Sequence, residues 1–392
     1  MIATGSIWGI PAAASGSRPP PARVEVAVVG GGITGVAILG WLQRRRVDAI
    51  LLERDHLAAG ASGRNAGFLL AGVAENYARA AATYGRSVAA EVWAFTLENH
   101  GMVVDHATGI DAGHRRTGSW TAALDVEEAA SLEEAATMLA EDRLPGRLVH
   151  DPAHAGAMLV LENPADGEID PVRLVHGLAA PMRQAIFEGT DVVAVDDGSN
   201  HATVHLHGGA SIEAAAVVLA TNAWTAQLWP SCPIRPVRAQ MLATAPAPPR
   251  LAQPVYAEWG HRYWRQRVDG CVLVGGFRHH ALAEEVGHEL AVTPTVQSLL
   301  EAQLTELGIG AAITHRWAGT MGFSSDGLPM AGLLPGARRI HVCAGYTGHG
   351  MGFAVNAARV LTAGLIDSDA LPAWLDVRRP SLGSPATPAA SR

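Results

Sequence analysis

V-E-V-A-V-V-G-G-G-I-T-G, residues 24–35, joins a β-branched run to glycines at the G-x-G-x-x-G interval, and its reading decides the fold. Val24, Val26, Val28 and Val29 suit a strand buried on both faces of a parallel sheet. Gly30 permits a tight turn, Gly32 lets the backbone approach a pyrophosphate, and Gly35 allows close helix–strand packing. The helix that follows offers free N–H groups and a positive dipole end to an anion. It is expected from Thr34 to Arg46, with Val36, Leu39, Trp41 and Leu42 on or near its buried side and Arg44, Arg45 and Arg46 at its negative end. A second strand, Ala49 to Leu52, closes on Glu53, eighteen residues after Gly35, where a carboxylate can accept hydrogen bonds from a ribose 2′-hydroxyl. The competing reading is a structural βαβ unit whose Glu53 faces water, but strand, glycines, helix, strand and acid all fall in the order a dinucleotide requires.

A chain of 392 residues exceeds one compact core, so about two domains are expected. The net charge of -8 disfavours a nucleic-acid partner. Apolar runs such as Ala214 to Ala220 are far too short to cross a bilayer, so no membrane partner is expected. All 29 basic residues are arginine, which excludes a side-chain Schiff base, a Walker lysine and a Tyr-x-x-x-Lys site. Cys232, Cys271 and Cys343 are widely separated and fit a reducing, cytoplasmic setting. Met1 to Arg23 is proline-rich and lacks the basic and apolar regions of a signal peptide, and it reads as a surface arm docked by Trp8.

Beyond Glu53 and Arg54, a second glycine-rich turn, Gly60 to Gly67, offers Ser62, Arg64 and Asn65 to a phosphate or a ring system, or forms a polar surface loop. Helical patterns run from Tyr77 to His106, from Val126 to Leu139 and from Pro171 to Gln184. Ala185 to Val195 reads as a strand with Val192 and Val195 inward, and Val204 to His207 with Ser211 to Glu213 as a hairpin around Gly208 and Gly209. Val217 to Ala220 reads as a buried strand that delivers Thr221, Asn222 and Trp224 to a sheet end. Pro233 to Thr244, Val255 to Arg267 and Cys271 to Phe277 read as successive strands, with Arg238, His261, Arg265 and Arg278 as their polar residues and Trp259, Tyr263 and Trp264 as aromatics that could floor a substrate cavity. A helix follows over Val296 to Leu307. The strand Ile340 to Ala344 then leads through Gly345 to Gly350 into a helix from Met351 to Ile366, and the tail beyond Pro380 has a disordered composition.

Together, Val26 to Gly35, Glu53-Arg54, Gly60 to Gly67, Ala220 to Trp224, Trp317 to Gly332 and Gly345 to Gly352 resemble the D-amino-acid oxidase (DAO) superfamily of FAD-dependent oxidoreductases, in its glycine oxidase, sarcosine oxidase and gamma-glutamylputrescine oxidase branch. The resemblance spans about Val24 to Ile366 and implies an α/β (α+β overall) fold. A Rossmann-like FAD-binding domain would comprise 23–77, 147–229 and 311–370, and a discontinuous second domain of mixed antiparallel sheet plus helices would comprise 78–146 and 230–310. An N-terminal arm over 1–22 and a tail over 371–392 complete it. It also implies that Gly30, Gly32, Ile33, Thr34 and Gly35 face the pyrophosphate, and Glu53 and Arg54 the adenosine ribose. Ser62, Arg64, Asn65 and Ala66 would lie by the flavin, with Thr221 and Trp224 at the sheet end and Val192 at the adenine. Gly345, Thr347, Gly348, His349, Gly350 and Met351 would lie at the flavin's pyrimidine edge, where a helix N-terminus stabilises negative charge. Relatives that hold flavin covalently use a cysteine or histidine at places where this chain has Gly319, Thr320, Met321 and Arg64, so FAD is expected to be noncovalent. Lysines beside the flavin in the sarcosine oxidase branch correspond to Val274 and Gly352.

The expected activity is oxidation of a C–N bond in a primary or secondary amine or amino acid, with O2 reduced to H2O2. Arg278 or Arg265 would hold a substrate carboxylate, Tyr263 would orient the amine or close the cavity, and His349 would be the titratable group near the ring. Each has a plain alternative: a rim ion pair for the arginines, core packing for the tyrosine and helix capping for the histidine. A dehydrogenase using another acceptor and a non-catalytic FAD-stabilised partner protein are the competing functions. A disulfide reductase or NADPH monooxygenase would need a C-x-x-C or a second nucleotide fingerprint, and the chain has neither. A monomer and a homodimer are equally compatible with the sequence.

Overall fold

The computed structural model describes residues 4–9, 18–149 and 157–383. The rest of the expected N-terminal arm (1–3 and 10–17), residues 150–156 and the end of the expected tail (384–392) lie outside the described residues.

Strand Arg23–Val29 sits inside an eight-stranded sheet, which is why its apolar residues alternate to neither face but are buried on both. It pairs in parallel with Ala49–Leu52 on one side and with Ser211–Leu219 on the other. The C-terminal half of Ser211–Leu219 runs parallel to Ile340–Ala344, while its N-terminal half runs antiparallel to Ala202–Leu206. The second sheet, also of eight strands, has the order Ile313–Ser324, Ile234–Pro246, Cys271–Gly276, Arg262–Gln266, Val255–Ala257, Ser119–Ala123, Leu159–Asn163 and Arg147–Val149. Only Val255–Ala257 with Ser119–Ala123 is parallel in it. The fold is thus a Rossmann-like parallel core joined to a mainly antiparallel sheet with helices.

The first helix, Ile33–Arg44, packs along the last, Gly350–Ile366. Thr34 Oγ1 donates to Tyr346 Oη at 2.9 Å and Trp41 Nε1 to the Val355 carbonyl at 3.2 Å. Asn99, buried on helix Arg86–Ala107, accepts from the Val355 and Asn356 amides and donates to the Met351 carbonyl. These bonds fix the start of the last helix to the start of the first.

Several expected elements divide where the backbone turns. The Tyr77–His106 helix is two, Tyr77–Tyr84 and Arg86–Ala107, because Gly85 adopts φ +84°. The first helix ends at Arg44, with Arg46 at φ +58°, and Arg45 pairs with Asp367. The helix expected to Gln184 ends at Ala179 and continues as a 3₁₀ turn through Ala185, since Pro181 has no N–H for the next α-helical bond. Ala185–Val195 is not one strand but two, Ile186–Phe187 and Val192–Asp197, separated by a turn in which Gly189 has φ +65°. Val255–Arg267 folds back on itself: Glu258, Trp259 and Gly260 all have positive φ, and the strands Val255–Ala257 and Arg262–Gln266 pair across the turn. Ser211–Glu213 and Val217–Ala220 merge into one strand. Within stretches 147–229 and 311–370, the strands Arg147–Val149, Leu159–Asn163 and Ile313–Ser324 belong to the second sheet, where their backbone groups find antiparallel partners.

Candidate active site

A cavity of about 720 Å³ lies where the two sheets meet, and two helices open onto it. Helix Ile33–Arg44 begins at Gly32 and helix Gly350–Ile366 at His349, and neither N-cap residue caps its helix with its own side chain, although the Ile33 N–H donates to Ser62 Oγ at 3.0 Å. Uncapped N-termini leave N–H groups without partners and a positive dipole end, so each is suited to an anionic group. The glycines let the chain close in. Gly30 has φ +114°, and a Cβ there would stand 2.7 Å from the Ala220 carbonyl oxygen. A Cβ at Gly35 would stand 1.9 Å from the Gly30 oxygen.

Glu53 is fixed at the end of its strand by two backbone donors: Gly31 N–H to Oε2 at 2.6 Å and Asp55 N–H to Oε1 at 2.8 Å. Burial raises its carboxyl above the usual carboxylate value, and these donors oppose that shift. Each oxygen retains acceptor capacity toward the cavity. The donor set, the acid and the glycine cradle therefore fit an adenine dinucleotide. Gly30, Gly32, Ile33 and Thr34 line the cavity, as do Glu53, Arg54, Ser62, Arg64, Asn65 and Ala66. So do Val192, Thr221 and Trp224, and Thr347, Gly348, His349, Gly350 and Met351. Gly35 and Gly345 do not: Gly35 packs behind the wall on Gly30, and the Gly345 N–H donates to Asn222 Oδ1 at 3.1 Å.

The turn that carries Ser62 to Ala66 is held from outside, carbonyl by carbonyl. Trp317 Nε1 donates to the Arg64 oxygen at 2.9 Å and Trp8 Nε1 to the Asn65 oxygen at 2.8 Å. Arg265 Nη1 donates to the Ala66 oxygen at 3.2 Å and the Gly67 oxygen at 2.8 Å. Arg265 is 4% exposed, pairs with Glu168 at 3.0 Å and does not line the cavity. The expectation that Arg265 meets substrate is corrected accordingly. Burial lowers its guanidinium to about 10, so it stays charged at neutral pH as a structural ion.

The far end of the cavity is aromatic and cationic. Tyr263 and Tyr256 lie ring to ring at 5.6 Å, Tyr256 lies 5.8 Å from the His349 ring, and Arg278 stacks 5.0 Å from the centre of Phe323. The Arg278 guanidinium has no hydrogen bond or ion pair among the described residues, and burial lowers its pKa. Burial pushes the Tyr263 hydroxyl up to about 12 and raises that of Tyr256 further, so both stay protonated. His349 and His261 are each lowered to about 4, by burial first and by the Arg278 charge second or third in weight. His349 borders the cavity and so keeps some accessible surface, yet protein surrounds it and holds the ring neutral. It stands at the N-cap of its helix without capping it. Arg238 is buried away from the cavity on Glu285, and Val274 is core. Gly352 lines the cavity, but a Cβ there would stand 2.5 Å from the Leu70 oxygen.

The sequence reading missed Tyr256, Phe323 and Tyr346, all of which line the cavity, while Met321, set beside the flavin by the resemblance, lines it too. Tyr256 is the cross-strand partner of Tyr263, a pairing that follows only once the turn at Glu258–Gly260 is known. No local signal marks the others.

Among the described residues no helix is long and apolar enough to cross a membrane, and the three cysteines are unpaired. A sequence model of the DAO family, described as FAD dependent oxidoreductase, matches residues 25–363. The chain is 26% identical to the glycine oxidase of Geobacillus kaustophilus over 365 residues, covering 84% of this chain and 89% of the relative. It is 26% identical to the gamma-glutamylputrescine oxidoreductase of Escherichia coli over 379 residues, covering 88% and 84%. The crystal structure of glycine oxidase from Geobacillus kaustophilus shares the fold, with a TM-score of 0.77, 24% identity and coverage of 92% and 99%. That of L-proline dehydrogenase from P. horikoshii does so too, with a TM-score of 0.76, 20% identity and coverage of 92% and 96%.

Proposed function

The chain belongs to the DAO family of FAD-dependent oxidoreductases, enzymes acting on CH–NH donors, and from that premise we propose that it oxidises an amino acid or a carboxylate-bearing secondary amine. The observation that carries the substrate class is the Arg278 guanidinium, lining the cavity with no partner of its own. A buried cation without an anion is unfavourable, and a bidentate carboxylate supplies what it lacks.

Glycines 30 and 32 with the start of helix Ile33–Arg44 would hold the pyrophosphate, Glu53 the ribose, and the start of helix Gly350–Ile366 the flavin's electron-rich edge. Bound FAD supplies a two-electron acceptor for the substrate's α-hydrogen. Arg278 fixes the carboxylate, which sets the orientation of the α-carbon. Tyr256 and Tyr263 offer protonated hydroxyls to the substrate nitrogen. His349, kept uncharged by burial, offers a lone pair to an ammonium N–H instead of repelling it. The imine product hydrolyses, and O2 takes the electrons to give H2O2. We assign the first sheet to the cofactor and the second to the substrate.

The test is turnover of purified enzyme across amino acids and their decarboxylated amines, followed both by peroxide release and by reduction of an artificial acceptor. Preference for the decarboxylated amines would remove the role of Arg278. Turnover with the artificial acceptor alone would make the enzyme a dehydrogenase.

A further inference from the structure

Trp8 lies outside every helix and strand, yet it is 7% exposed and packs in the main core. Its indole N–H donates to the Asn65 carbonyl, and its ring lies against two guanidinium groups, 5.5 Å from Arg265 and 4.9 Å from Arg267. The other groups that hold successive carbonyls of the turn come from strands: Trp317 from Ile313–Ser324, for Arg64, and Arg265 from Arg262–Gln266, for Ala66 and Gly67. Among the described residues the backbone on either side of Trp8 forms a short turn in which Ser6 accepts from the Trp8 and Gly9 amides, and it joins no strand or helix. A Cβ at Gly67 would meet the Trp8 ring at 3.1 Å, so the contact is close-packed. On the other side of the same turn, Ser62, Arg64, Asn65 and Ala66 line the cavity.

We propose that Trp8 is a positioning residue for FAD: the N-terminal segment Thr4–Gly9 is a detachable latch that sets the Ser62–Ala66 wall of the cofactor cavity. This rests on the cofactor reading above. Of the groups that hold the turn, Trp8 is the one that can leave without disrupting a sheet. Its release frees the Asn65 carbonyl and opens the space beside Gly67, and the wall loosens.

The test uses full-length Trp8→Ala and Trp8→Phe. Loss of the hydrogen bond and the packed ring raises the FAD dissociation constant by about tenfold in Trp8→Ala, read by flavin fluorescence. Trp8→Phe keeps a ring between Arg265 and Arg267 but has no donor, and it recovers part of that loss. In the apoprotein, tryptic cleavage after Arg64 becomes faster in Trp8→Ala while cleavage at other arginines keeps its wild-type rate. FAD affinity within twofold of wild type with Arg64 equally protected would overturn the latch. So would acceleration of every cut in proportion to a lowered Tm, which is general destabilisation. The proteolysis needs no flavin, so a wild-type chain that failed to take up FAD would contradict the cofactor reading while Arg64 still reported on the latch.

Discussion

Tyr256 and His349 lie ring beside ring, 5.8 Å between centroids and 31° between planes, so the titratable group expected near the flavin lies against an aromatic face. Burial lowers it to about 4, and it is neutral at the pH where the enzyme would work. Reoxidation by O2 passes through superoxide, and a fixed positive charge lowers that barrier. With no lysine in the chain, an arginine or the substrate's own ammonium is left to supply the charge, and Arg278 is a cavity arginine with no hydrogen bond or ion pair among the described residues. Photoreduced His349→Asn should therefore reoxidise within about threefold of wild type, and photoreduced Arg278→Met more slowly than either. A large loss in His349→Asn alone would return the charge to the histidine.

Arg278→Met and Arg265→Met should fail differently. The first should raise KM for amino acids by tenfold or more, about 1.4 kcal/mol or more, with decarboxylated amines less affected and Tm little changed. The second removes one of the two guanidinium partners of buried Glu168, leaving Arg115, and also frees the Ala66 and Gly67 carbonyls, so it should lower Tm while substrate discrimination is kept. Equal effects of Arg278→Met on both substrate sets would make it structural.

Glu53→Ala removes a carboxylate that accepts from Gly31 and Asp55 and faces the cavity. A charge-assisted bond is worth about 1.5 to 3 kcal/mol, so FAD should dissociate at least about tenfold more readily. Unchanged affinity in a titration of the apoprotein would separate Glu53 from the ribose.

Acid precipitation should release free FAD and leave a colourless pellet. No cysteine lines the cavity, and Gly319, Thr320, Met321 and Arg64, where the resemblance sets a covalent attachment, are neither cysteine nor histidine. Colour retained by the pellet would contradict noncovalent binding.

The apoprotein should lose stability as pH falls below about 6.5. His100, His261 and His349 are each lowered to about 4 by burial, so the unfolded chain binds protons that the folded chain does not. Stability is then full above about 6.5 and lost as pH falls toward 4, by up to about 1.4 kcal/mol per pH unit for each histidine. Asp166 is raised to about 7 by burial and acts in the opposite sense: between about pH 4 and 7 its folded form keeps a proton that the unfolded form has lost, so its contribution falls across that window and is fully lost above 7. Three histidines outweigh one aspartate below 6.5. A Tm that stayed flat or rose from pH 6.5 to 4.5 would refute this balance.

The cofactor half of the cavity was legible because its chemistry is local. Gly30, Gly32 and Glu53 announce themselves by interval, and the strands Ala49–Leu52 and Ile340–Ala344 fell at their expected limits. The substrate half was not, because it depends on pairings between distant strands. Arg265 and Arg278 look alike in sequence, both following aromatic β-rich stretches. One meets Glu168 and the other no anion, and only the fold decides which. Tyr256 was hidden for a related reason: positive φ at Glu258 and Trp259 is a turn that no glycine–asparagine pair advertises.

The bond between Thr34 and Tyr346 spans 312 positions of chain. At about 5 to 20 residues per second, a ribosome needs roughly 15 to 60 s to make the second partner after the first. During that interval the glycine-rich turn and the face of the first helix that will meet Gly350–Ile366 are already synthesised without the cover that helix supplies. Loading with cofactor is therefore an event of completed chains, and prematurely terminated ones are exposed to chaperones and proteases.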